Sequence, residues 1–169
     1  MKKYLFTFIF ILTLLFLPNR GEAQTSQATF SFSPNTGSFS LNNTIPVDLN
    51  VNTTGSTGIT SVKASLTFDA SKLEVVTIDS SQSSFSFQWE QTFDNTQGTI
   101  SIQRSSPTPR LGEQLITKIT FKTKSTGTTT IAYDPNCFSA VNPTCLALKP
   151  DDTNILSVSS EATFTVTAA

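Results

Sequence analysis

Apolar and polar residues alternate strictly along several stretches of this chain, and that pattern narrows its possible folds more than any other feature. Ile45, Val47, Leu49 and Val51 alternate with Pro46, Asp48, Asn50 and Asn52. Val62, Ala64, Leu66 and Phe68 alternate with Lys63, Ser65 and Thr67. Successive side chains of an extended strand point to opposite faces, so a period of two builds one apolar face and one wet face. The apolar face must be covered by a second layer.

The same reading gives further strands over 28–32, 73–78, 85–89, 100–102, 115–121, 128–133, 155–158 and 162–166. Turn-forming stretches separate them: "SPNTGS", "TTGSTG", "DNTQG" and "STG". The two prolines of "RSSPTPRLGE" mark it as a long connection. No window holds a helical period. About nine short strands with turn signals every 8–12 residues predict an all-β antiparallel sandwich of the jelly-roll kind.

Residues 1–23 read as a secretory signal peptide. Met1-Lys2-Lys3 is a basic start, residues 4–17 are apolar apart from threonines, and Gly21 and Ala23 have the small-residue spacing of a cleavage site. The apolar run is too short to cross about 30 Å of hydrocarbon comfortably. Residues 24–169 are then one domain, long enough to bury a good core. Removing Lys2, Lys3, Arg20 and Glu22 leaves 8 basic and 11 acidic residues, which offers nucleic acid no basic stripe. No second apolar stretch of spanning length follows. In an exported chain the two cysteines, Cys137 and Cys145, are expected to form a disulfide within a loop marked by Pro135, Asn136, Asn142 and Pro143.

One short motif gives the strand order a family likeness. Phe68-Asp69-Ala70-Ser71-Lys72-Leu73-Glu74-Val75-Val76 places an aromatic strand end before Asp, a polar corner, Leu and an apolar run. With "IPVDLNVNTTG" before it and "NTQGTISI" and "LITKITFKTKSTGTTTIAY" after it, the chain resembles the cohesin domain family, within the wider jelly-roll superfamily that includes carbohydrate-binding modules. The resemblance implies a secreted or cell-surface, non-catalytic binding module. Its partner would be a dockerin-bearing protein or a polysaccharide in polysaccharide degradation. A structural or adhesive surface domain with no sugar ligand is the alternative. A disulfide is unusual for that family. Asp69 itself is expected to cap its corner by accepting backbone N–H bonds, a structural task.

Candidate chemistry is sparse. The chain has no histidine, so triads that use His as the base are excluded. Glu74, Glu90, Glu113 and Glu161 fall in no motif for glycoside hydrolysis, and the chain is expected not to be an enzyme. Sugar stacking would need amphipathic aromatics, and residues 24–169 offer only Trp89 and Tyr133. Trp89 shares the parity of Phe85 and Phe87, which suits a core or rim position. Tyr133 ends a strand beside the disulfide loop, where a rim position is expected. Docking through a sheet face would use Gln88, Glu90, Ser101 and Gln103 of the hairpin over 85–104, with Arg104 and Arg110 flanking the proline-rich connection. No cofactor is expected. Structural calcium, which the resemblance brings to mind, would sit at Asp151-Asp152 or around Asp134. The domain is expected to act as a monomer.

The Cys137–Cys145 bond closes so short a loop that it should contribute roughly 2–3 kcal/mol. Reduction is therefore expected to lower the melting temperature by a few degrees and leave the sandwich folded. Calorimetry with and without reductant checks this, and complete unfolding on reduction would contradict it.

Overall fold

The computed structural model of the protein describes residues 27–157 and 159–169. The signal-peptide expectation, on residues 1–23, lies outside the described residues. Eleven strands and no helix make up the described part: β1 (Gln27–Ser33), β2 (Thr36–Ser40), β3 (Thr44–Thr54), β4 (Ile59–Phe68), β5 (Leu73–Asp79), β6 (Phe87–Asp94), β7 (Thr99–Arg110), β8 (Gly112–Thr123), β9 (Gly127–Tyr133), β10 (Leu146–Leu148) and β11 (Ala162–Thr167). They form a β-sandwich of two sheets. One has the order β1-β3-β8-β5, and the other runs β2-β11-β9-β4-β7-β6 with β10 also paired to β4. Every ladder is antiparallel except β11 on β2.

Alternation decides which side of each sheet is buried. Val62, Ala64, Leu66 and Phe68 of β4 are buried, and so are Ile45, Val47, Leu49 and Val51 of β3. The layers meet through aromatic rings. Phe68 of β4 sets its ring edge-on to Phe121 of β8, with centroids 5.6 Å apart. Tyr133 of β9 packs against Phe30 and Phe32 of β1 at 6.1 and 5.3 Å. Each large apolar side chain buried this way contributes about 1.5–3 kcal/mol.

Two segments depart from the sequence reading. The stretch over 104–113 is strand, not a long connection: β7 runs through Arg110 and β8 begins at Gly112. Its prolines are tolerated because the ladder to β4 is interrupted there, passing from Ser61↔Ser105 to Ile59↔Arg110. Pro107 and Pro109 therefore face no lost ladder bond. The expected strand over 155–158 is reduced to single bridges, Ala28↔Leu156 and Leu148↔Asn154, and Val158 lies outside the described residues.

The Asp69 corner is built as its residues imply. Asp69 Oδ1 accepts from the Ser71 amide at 2.9 Å and the Ser71 hydroxyl at 2.6 Å. The Asp69 carbonyl accepts from the Lys72 and Leu73 amides, both at 2.9 Å, and Leu73 returns buried to the core. The free edges of β5 and β6 are tied by side-chain amides. Asn95 accepts from the Val75 amide at 2.7 Å and donates to the Val75 carbonyl at 3.0 Å. Gln91 donates to the Ile78 carbonyl at 3.1 Å. Three backbone groups on the β5 edge, the Val75 amide and carbonyl and the Ile78 carbonyl, are thereby satisfied within the chain.

The turn from β6 into β7 depends on Gly98. It has φ +67°, its carbonyl accepts from the Phe68 amide at 2.8 Å, and a Cβ there would press into the Phe68 carbonyl oxygen. Gly98→Ala is expected to destabilise by well over about 1 kcal/mol, since left-handed strain and a backbone clash add. Urea unfolding measures this, and a loss under half that value would show that the turn can shift.

Candidate functional site

The outer face of the β6-β7-β4 layer gathers most of the polar and exposed aromatic residues singled out in the sequence. Pairing places them in rows across the three strands. Phe87, Ser105 and Ser61 share one row, and Glu90, Gln103 and Lys63 the next. Thr92, Ser101 and Ser65 form a third row, and Asp94, Thr99 and Thr67 the last. Lys63 Nζ lies 3.9 Å from Glu90 Oε2 across this face. Both groups are partly solvated, so the pair orders side chains more than it stabilises the fold.

Trp89 sits where the β6–β7 register shifts between Gln88 and Glu90. Phe87 faces outward at the start of β6, so Trp89, two residues on, faces outward as well and is 72% exposed, and the bulge brings Glu90 to the same face. The indole N–H donates to Ser105 Oγ at 2.9 Å, which holds an exposed ring in one orientation. Phe87, in the Ser105 row, is 56% exposed. The shared parity of Phe85, Phe87 and Trp89 therefore breaks down. Phe85 is buried ahead of the strand, Phe87 begins β6 facing out, and Trp89 keeps the parity of Phe87.

Three of the other candidates lie elsewhere. Tyr133 is 7% exposed rather than on the rim, because its ring fills the core between β1 and the disulfide loop. Burial pushes its phenol well above the ordinary value, with Glu161 adding to the shift. Arg104 is 4% exposed, since its parity is that of Ile100 and Ile102. Its Nε donates to the Phe85 carbonyl at 2.9 Å and its Nη1 to Gln88 Oε1 at 3.0 Å. Arg104 and Gln88 thus pin the 80–86 loop from the inner side and are withdrawn from the outer face. Desolvation lowers the guanidinium pKa without discharging it.

At the far end of the face a cleft of about 330 Å³ opens, lined by Ser65, Thr92, Asp94, Thr99, Ser101 and Asp134 among others. Sequence reasoning placed Asp134 only as a calcium candidate and did not single out Asp94. The alternation of β6 was the signal available for Asp94. Among the described residues no three His, Cys, Asp or Glu side chains gather as metal ligands. Among the described residues no helix is long and apolar enough to cross a membrane.

A family model described as the cohesin domain matches residues 28–142. The chain belongs to the cohesin domain family. No curated protein sequence matches it. Solved cohesins share its fold. The chain is 16% identical to the type I cohesin of a cohesin–dockerin complex from Clostridium thermocellum, covering 88% of this chain and 99% of that one with a TM-score of 0.65. It is 13% identical to a cohesin module of a family 33 glycoside hydrolase from Clostridium perfringens, covering 86% and 100% with a TM-score of 0.67. It is 11% identical to a non-cellulosomal cohesin from the archaeon Archaeoglobus fulgidus, covering 84% and 92% with a TM-score of 0.62. The family match stops at residue 142, inside the disulfide-closed loop of this cohesin.

Several exposed carboxylates of this cohesin are held below their ordinary range of 3.8 by hydrogen bonds. For Asp94 the Gln97 and Thr96 amides do this, and for Asp69 the Ser71 hydroxyl and amide. Asp151 falls to about 2 through the Thr153 hydroxyl and amide, and Lys149. A depressed folded-state pKa contributes stability above the unfolded value, and that stability is lost as pH falls through the folded value. The melting temperature should therefore be flat near neutrality and fall from about pH 4 towards pH 2. Asp94→Asn should show a shallower fall, read by circular dichroism, and an identical pH profile would contradict the assignment.

Proposed function

We infer that the protein is an extracellular, non-catalytic docking module whose β6-β7-β4 outer face receives a dockerin-type module of a partner protein acting on polysaccharide. The observation that carries this reading is the pair of solvent-exposed aromatics Phe87 and Trp89, the Trp89 indole held by Ser105, on an otherwise polar sheet face. Exposed apolar groups fixed in place mark protein contact surfaces, and tryptophan is enriched among residues that dominate binding energy. The membership of the cohesin family supports the partner class. The Clostridium thermocellum cohesin of similar fold is itself in complex with a dockerin. A sugar platform is less well supported, because Tyr133 is buried and Trp89 is left as the one exposed amphipathic aromatic among the described residues.

The test is calorimetry of the secreted protein against a panel of purified type I and type II dockerin modules. At least one is expected to bind with micromolar affinity or better. Trp89→Ala should weaken that complex at least tenfold, about 1.4 kcal/mol, with little change in melting temperature. Binding to insoluble glucans with no binding to any dockerin would overturn the reading. Failure on both would favour a structural or adhesive surface domain.

A further inference from the structure

The end strands of the two sheets are β1 and β5 in one and β2 and β6 in the other. Three of these edges are guarded. On β1 the Ala28 amide donates to the Ile155 carbonyl at 2.9 Å, the Ala28 carbonyl accepts from the Ser157 amide at 2.8 Å, and the Phe30 amide donates to Ser159 Oγ at 2.7 Å. On β5 the Val75 and Ile78 groups are tied by Asn95 and Gln91. On β6 the register shift at Trp89 and the charges of Glu90 and Asp94 blunt the strand. Covering segments, bulges and charges keep sheet edges from pairing with other chains. The edge of β2 has none of them. Thr36-Gly37-Ser38-Phe39-Ser40 carries no charge, no proline and no register shift, and residues 36–38 are exposed.

The main chain of β2 bonds in one direction. The Thr163 amide donates to the Asn35 carbonyl at 2.8 Å, and the Leu41 amide to the Thr167 carbonyl at 2.9 Å. Alternate residues of a parallel ladder point both groups at the same neighbour, so Asn35, Gly37, Phe39 and Leu41 face β11 while Thr36, Ser38 and Ser40 face away. The Ser40 carbonyl is taken by the Asn43 amide at 3.2 Å and the Thr123 hydroxyl at 2.9 Å. The amides and carbonyls of Thr36 and Ser38 have no partner among the described residues.

The free groups are self-complementary. Set antiparallel about Gly37, two β2 strands oppose Thr36 of each copy to Ser38 of the other, and every free amide meets a free carbonyl. The register is bounded on both sides, because Pro34 has no amide proton to offer and the Ser40 carbonyl is already used. Gly37 meets Gly37 on the two-fold axis, where opposed residues come closest. The Phe39 ring occupies the space a Gly37 side chain would take, since a Cβ there would stand 2.9 Å from its Cε2. The half-buried Phe39 rings therefore flank the axis and supply apolar cover. Charge permits the pairing as well. β2, β11 and β9 hold no charged residue, and their outer face is a run of hydroxyls: Thr36, Thr163 and Thr130 in one row, Ser38, Thr165 and Thr128 in the next. A patch that meets its own copy must not repel itself, and this one cannot.

We propose that the β2 edge is a homodimerisation site, at which a second copy of this chain adds its own β2 antiparallel about Gly37 and joins the two six-strand paths into one sheet. The occupant is a second copy because the register matches the edge to itself and uses each of its free groups once. This departs from the expectation of a monomer, and it holds whatever the β6-β7-β4 face binds. The contact is smaller than the roughly 1,200 Å² at which stable interfaces begin, so the dimer forms at high local concentration and not in dilute solution.

Sedimentation equilibrium and amide hydrogen exchange of the secreted protein, each from micromolar to millimolar concentration, test the proposal. The average mass should rise towards twice that of the monomer. Over the same range exchange at the Thr36 and Ser38 amides should slow several-fold, and exchange on β5 and β6 should not change. Thr36→Lys sets like charges against each other across the axis, and Ser38→Pro removes an amide that bonds nothing in the monomer. Both variants should stay monomeric at millimolar concentration with an unchanged melting temperature. If Ser38→Pro fails to fold, Thr36→Lys and the wild-type exchange decide the matter. A single monomer mass at every concentration would overturn the proposal. So would association that survives Thr36→Lys, slowed exchange at β5 or β6 in place of β2, or assemblies that grow past two copies, since a two-fold contact closes on itself.

Discussion

Strand β4 carries the constraint on which the rest of this cohesin depends: its side chains alternate between the core and the outer face. Val62, Ala64, Leu66 and Phe68 point inward and are buried, while Lys63, Ser65 and Thr67 point outward. A slip of one residue would exchange the two sets and expose the core. β4 also pairs with β7 on one side and with both β9 and β10 on the other. One strand thus aligns the interior, the outer-face rows and the loop that flanks them.

Around β4 the sandwich solves a problem common to open sheets, which is what to do with edges. β5 and β6 end their sheets on the same side of the molecule, and the amides of Asn95 and Gln91 link them. Arg104 makes a comparable link inside, binding the Phe85 carbonyl where the chain crosses from one layer to the other. Both links convert unpaired backbone groups into satisfied ones, which matters more than the modest net gain of each bond. With the edges and the crossover fixed, the outer face of β6-β7-β4 can hold exposed aromatics in set positions.

Much of the fold was legible because burial of one strand face writes itself into the sequence with a period of two. The strands at 45–51, 62–68 and 115–121, and the Asp69 corner, are local patterns with local causes. The site was legible in part. Glu90 and Gln103 were placed on the outer face by simple alternation. Alternation read inward from Phe85 failed for Phe87 and Trp89, because Phe85 lies ahead of β6 and Phe87 begins the strand facing out; the bulge at Trp89 then brings Glu90 to the outer face. It also misled for Tyr133 and Arg104, since long polar-tipped side chains can be buried when a ring or a carbonyl receives them. Two prolines suggested a loop over 104–113, and only the interruption of the neighbouring ladder explains why they sit in a strand.

The amino-acid sequence by itself determined that this chain forms a two-layer sandwich, because alternating apolar residues leave extended strands no other way to leave water. It also determined that Cys137 and Cys145 could pair only with each other, since no other cysteine exists. Tertiary structure alone decided that Asp94 and Asp134, forty positions apart, face one cleft, and that Phe87 and Trp89 stand in solvent. The physical reason is that strand register, bulges and the points where a loop is anchored arise from pairing between distant segments, and no local pattern of residues encodes them.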